Sequence, residues 1–177
     1  MATTDKLAVD TTLSAMEMAD MIFGNGVKVE TASYTGADSA SGGYTGGDTT
    51  AGDLTPSDSG LIFSTGNAAD VTQSSGNTNQ SAGTSTNHDG DGNDALSDIA
   101  GMTTYDAAIL SAEFIPVGDT LTMQIVFSSE EYLEYVNSGY NDAVGIFVNG
   151  VKAELSVGDG TIFIDNINDE TNENLYI

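Results

Sequence analysis

LTMQIVFSSEEYLEYVNSGYNDAVGIFVN, residues 121–149, is the stretch from which the fold is read. Leu121, Met123, Ile125 and Phe127 alternate with Thr122, Gln124 and Val126, a period of two that predicts a half-buried strand. Ala143 to Val148 is a second apolar run, closed by the turn pair Asn149-Gly150. Between them lies an acidic, aromatic turn. If the two runs pair as neighbours, Glu130, Glu131, Asn141 and Asp142 gather near one end of a sheet. Carboxylates crowded together without an Arg repel one another unless a cation sits among them. The plainer reading is a solvated acidic loop.

The pattern recurs outward from this stretch. Tyr105 to Phe114 is expected to form the strand before it, joined through Pro116-Val117-Gly118-Asp119. Gly60 to Thr65, Val27 to Ala32, Ala153 to Val157 and Thr161 to Ile167 supply further short strands. Thr11 to Phe23 reads as the one substantial helix, with Ser14 and Glu17 at capping-box spacing and Gly24 and Gly26 stopping it. A short second helix is expected over Ala95 to Ala100, capped by Asp94 and ended by Gly101. The fold class that follows is mainly β: an antiparallel, jelly-roll-like β-sandwich with one N-terminal helix and a short second one.

Residues 1–9 read as a flexible leader and 10–177 as a single domain. Its last residues, Leu175-Tyr176-Ile177, look like the opening of another strand, so the natural protein is expected to continue. Ser33 to Ser59, with Gly pairs at 42–43 and 46–47, reads as a surface excursion, and Asn67 to Asn87 as a long polar loop. The Gly-rich run carries no Gly-Lys-Ser/Thr ending and is no phosphate cradle.

Charge excludes whole classes of function. Twenty-seven acidic residues face three lysines and no arginine, a formal net charge of -24. Nucleic acid binding needs cations to displace counterions, and docking on an anionic membrane needs them too. No run approaches the roughly 20 apolar residues of a membrane span. With no cysteine, disulfides and thiolate metal sites are ruled out. An acidic chain of this kind, rich in Gly, Ser, Thr and Asn, reads as a bacterial extracellular protein, and bound divalent cations or high salt would relieve its self-repulsion.

Two oxygen-rich groups are candidate Ca²⁺ ligands. Asp89, Asp91 and Asn93 stand at alternate positions in the loop HDGDGND, followed by Asp94. Glu130, Glu131, Asn141 and Asp142 flank the turn, with Asp106 and Glu113 on the preceding strand able to complete the set. Hard oxygen donors without Cys suit Ca²⁺ better than Zn²⁺. The loop is no EF-hand, since Asp94 and Ala100 stand where Gly and Glu belong. His88, the one histidine, is a further candidate or a locally bonded loop residue.

The motifs together resemble the choice-of-anchor L domain family. The resemblance is carried by Gly24-Asn25-Gly26-Val27, by Gly60-Leu61-Ile62-Phe63-Ser64-Thr65-Gly66 and by Gly92-Asn93-Asp94-Ala95-Leu96. Asp106, Glu113-Phe114-Ile115-Pro116, Phe127-Ser128-Ser129-Glu130-Glu131-Tyr132, Asn141-Asp142 and Ile164-Asp165-Asn166-Ile167-Asn168 follow in the same order. It implies an exported or surface protein and supplies no biochemical activity. The expected function is a non-catalytic extracellular module, stabilised by Ca²⁺, acting in adhesion, matrix or filament assembly through self-association or another surface protein. The alternative is a Ca²⁺-dependent carbohydrate-binding module, with Tyr132, Tyr135 and Tyr140 stacking on a glycan. A glycoside hydrolase is disfavoured, because Glu130 and Glu131 are adjacent and in a strand would point to opposite faces.

Overall fold

The computed structural model describes residues 6–52, 55–72, 86–153, 155 and 160–176. It divides into two compact units, the first holding described residues 6–72, 86–90 and 106–126, the second 91–105 and 127–176. Both are built from short antiparallel sheets, with one main helix and a short second one. Among the described residues no sheet closes into a barrel.

In the first unit β1 (Ala8–Asp10), β3 (Ser41–Thr45) and β4 (Ser59–Phe63) form a three-stranded sheet in the order β1-β3-β4. β2 (Val27–Thr35) and β5 (Ile109–Pro116) form a long two-stranded ladder, with a bulge between Val29 and Thr31. Helix α1 (Ala15–Phe23) packs on both sheets. Its Phe23 ring lies 4.7 Å from that of Phe114 on β5, and Met21 lies over Gly43 on β3. Two antiparallel sheets bridged by one amphipathic element are layers of the kind a sandwich requires. The capping box forms as spelled: Ser14 caps α1, and the Glu17 carboxylate accepts from the Ser14 N–H at 2.8 Å.

The Gly-rich stretch is corrected by this sheet. It is no surface excursion, because Ser41, Gly42, Gly43 and Tyr44 are all buried in the central strand. A Cβ on Gly42 would stand 2.6 Å from a Val9 methyl, and one on Gly43 2.6 Å from Leu13. The missing side chains let neighbours approach the backbone of β3 itself. Tyr44 joins Leu7 and Ala51 in the core, with Val9, Ile62 and Val71 against them. Between Ser59 and β3 the one-turn helix α2 (Gly47–Thr50) reverses the chain. The leader is also corrected: Leu7 is only 2% exposed, its N–H donates to Thr72 Oγ1 at 3.0 Å, and the chain is in a strand from Ala8. Residues 1–5 lie outside the description.

The opening stretch departs most from expectation. Leu121–Phe127 forms no strand among the described residues, and the long strand begins at Ile109 instead of Tyr105. Alternation states what a strand would bury, whereas pairing needs a neighbour in register.

In the second unit β6 (Ala143–Val144) pairs with β9 (Ile162–Phe163), and β7 (Phe147–Val148) with β8 (Val151–Lys152) through the expected Asn149-Gly150 turn. Helix α3 (Asp94–Ala100) ends at Gly101. Ile162, Ile164, Ile167 and Asn168 are its buried centre. The final strand from Thr161 is cut short, because Ile164–Asn166 winds into a 3-10 turn. Glu173–Leu175 is likewise a 3-10 turn and no strand, with Ile177 outside the described residues. Most of the Ala153 to Val157 run and residues 73–85 of the long loop also lie outside them.

Candidate functional site

The Asp-rich loop is held by two sets of internal hydrogen bonds. In the first unit the Asp106 carboxylate accepts from the His88 N–H at 3.0 Å and from the Gly90 N–H at 2.6 Å, while the Asp106 N–H donates to the Gly90 carbonyl. Asp89 and Asp106 both adopt positive φ, 53° and 51°, conformations open to Asp in tight turns. In the second unit Asn93, not Asp94, is the N-cap of α3, its Oδ1 accepting from the Ala95 and Leu96 N–H groups. Thr104 closes this cap, its hydroxyl accepting from the Asn93 N–H and lying 2.9 Å from that of Ser97. Asp91 forms an isolated bridge with Tyr105, and Asp94 is exposed in the first turn of the helix.

The turn 128–142 is likewise tied internally. Ser129 donates to Asp142 Oδ2 at 2.7 Å and accepts from the Glu131 N–H. The Asn141 amide donates to Asp165 Oδ2 at 2.9 Å and accepts from the Asp165 N–H. Asp165 also accepts from the Asn137 N–H at 2.5 Å. Partial burial raises the Glu131 pKa, and Glu130, Asp142 and Glu134 nearby raise it further. Glu113 stands on β5, where it accepts from Thr31 across the ladder.

The aromatic residues separate into two groups. Tyr132 is structural: its hydroxyl donates to the Ile167 carbonyl at 2.5 Å, its ring packs against Phe127 and Tyr176, and burial pushes its pKa up. Tyr135 and Tyr140 meet edge to face at 5.3 Å, with Tyr140 59% exposed.

Among the described residues no three His, Cys, Asp or Glu side chains converge as a metal site. The Asn93 amide oxygen and both Asp106 carboxylate oxygens are already taken by backbone donors. Spacing of two along a loop places oxygens near a cation only if the loop wraps inward, and of the spaced residues Asn93 turns its side-chain oxygen to the N–H groups of α3.

Residues 5–175 match the family described as the choice-of-anchor L domain. The chain belongs to that family. No curated protein and no solved structure matches it. Choice-of-anchor L membership makes this a module of the bacterial surface or exported class. No helix among the described residues is long and apolar enough to cross a membrane. Within this choice-of-anchor L domain the residue that sequence reasoning missed is Asp165. It lies in Ile164-Asp165-Asn166-Ile167-Asn168, and that segment was the available signal. Asp165 joins the turn at Asn137 and Asn141, while buried Asn168 donates to the Ile164 carbonyl and accepts from Glu170 and Thr171.

Proposed function

We propose that the chain is a non-catalytic module of exported or cell-surface proteins that acts by contact, in adhesion, matrix or filament assembly. The observation that carries this reading is the use of the polar side chains. Asp106, Asn93, Asn141 and Asp165 spend their oxygens on the chain's own N–H groups and amides, the work of a scaffold. A catalytic acid or nucleophile would need its oxygens free to reach a substrate. The family match over nearly the whole chain supports the surface setting.

The test has two arms. Protease shaving of intact cells of the source bacterium should release peptides of this chain, and a broad glycoside panel should show no turnover. Detection only in the cytosol, or hydrolysis abolished by Glu130→Gln, would overturn the reading.

A further inference from the structure

The second unit carries a groove of about 350 Å³ whose walls belong neither to the Asp-rich loop nor to the turn 128–142. Asp98 and Ile99 of α3, Phe147 and Lys152 of the hairpin β7–β8, and Phe163 of β9 line it. The hairpin register brings two of them together. Phe147 pairs with Lys152 and shares one face with it, while Val148 and Val151 share the other. Gly145 shapes the wall between hairpin and helix. A Cβ there would stand 2.8 Å from the Phe147 ring and 2.9 Å from Ile99, so both close on bare backbone. Phe147 is nonetheless 42% exposed, an apolar wall left open to water.

Two opposite charges stand in this apolar groove and do not pair with each other. The Lys152 ammonium donates to the Gly160 carbonyl at 3.3 Å, which takes one of its three protons. Among the described residues it has no carboxylate at ion-pair distance, in a chain of net charge -24. Asp98 is exposed and likewise has no cationic partner among the described residues. An ammonium and a carboxylate apart, with apolar walls beside them, complement a molecule that carries both charges and an apolar body. A simple carboxylic acid would meet Asp98 as a like charge, and a simple amine would meet Lys152 as one.

We propose that the groove binds a small zwitterion with an apolar body, an α-amino acid whose side chain is aromatic or branched. Its carboxylate pairs with Lys152, its ammonium with Asp98, and its side chain lies against Phe147, Ile99 and Phe163. The volume falls at the lower end of the roughly 300–1,000 Å³ of small-molecule sites, which suits one amino acid. The site goes beyond the surface-module reading and does not rest on it.

Calorimetric titration of the purified chain at about 0.05 M NaCl, where charges are weakly screened, tests the site with three probes. L-Phenylalanine should bind saturably at one site. 3-Phenylpropionate, which lacks the ammonium, and phenethylamine, which lacks the carboxylate, should each bind about tenfold or more weakly. Lys152→Gln should cut phenylalanine affinity about tenfold and abolish its advantage over phenethylamine, and Asp98→Asn should abolish its advantage over 3-phenylpropionate. Melting curves check that each variant folds, and the three probes on the wild type decide the matter even where one does not. No saturable uptake of phenylalanine below about 10 mM sinks the proposal. So do equal affinities for the three probes, or folded variants that bind all three as the wild type does. Any of these failures leaves the surface-module reading standing, and a cytosolic location would leave the site standing.

Discussion

At the scale of single residues, Asp106 and Glu131 are both carboxylates but behave oppositely. Asp106 accepts two backbone N–H groups and holds the 88–90 turn. Asp106→Ala is expected to destabilise the fold by about 1–3 kcal/mol, the range for losing charged hydrogen bonds, with Asp106→Asn costing less because it keeps an acceptor. Denaturant titration of the three proteins checks the order, and an Ala variant as stable as wild type refutes the role. Glu131 is held above the ordinary value of 4.5 by desolvation and by neighbouring carboxylates. Its proton therefore binds more tightly in the folded state. The favourable linkage is fully present below the unfolded pKa and is lost as pH rises through the folded one. Glu131→Gln should accordingly raise the melting midpoint at pH 7, by no more than a few degrees since solvent screens the site, and make little difference near pH 3.5. A midpoint lowered at pH 7 would mean that the ionised carboxylate is needed. His88, whose Nε2 is buried without a partner among the described residues, has no role that its surroundings explain.

Among the elements, α1 is the one spelled out by its own residues. Ser14 and Glu17 bond each other reciprocally, and Ser14, first through its hydroxyl and then its N–H, holds the Glu17 carboxyl below its usual range. Ser14→Ala should cost about 1 kcal/mol. Because the folded pKa of Glu17 is depressed, its contribution is present above about pH 4.5 and fades as pH falls through the folded value. The difference between wild type and Glu17→Gln in pH-dependent melting should shrink across that window, and a difference constant from pH 3 to 7 would refute the box. The helix, β2, β5 and the Asn149-Gly150 hairpin were legible because each rests on contacts within a few residues or on strict alternation. Leu121–Phe127 was misread for the opposite reason. It has the alternation, but strand pairing is decided by a partner elsewhere in the chain. The candidate site was legible in its parts: the sequence displays Asp89, Asp91, Asn93 and Asp94 at ligand-like spacing, yet the same residue types cap helices and close turns, and hydrogen-bond geometry was needed to show that Asn93, not Asp94, is the cap of α3.

Over the whole molecule, a net charge of -24 makes salt the dominant solution variable. The melting midpoint should rise with NaCl as repulsion among the carboxylates is screened, and comparing Ca²⁺ with EDTA at matched ionic strength tests the expected calcium ligands separately. A shift specific to Ca²⁺ would support those ligands, and equal midpoints would leave screening to account for the whole effect. The central strand of the first unit carries a different lesson. SGGYT, residues 41–45, has the composition of a linker and the burial of a core. Any single-base missense change in a glycine codon adds at least a Cβ, and at Gly42 and Gly43 that Cβ would stand 2.6 Å from a neighbouring side-chain carbon. The segment whose letters look freest to drift is therefore among the least able to, and an inherited change there should reach the cell as lost protein rather than altered binding.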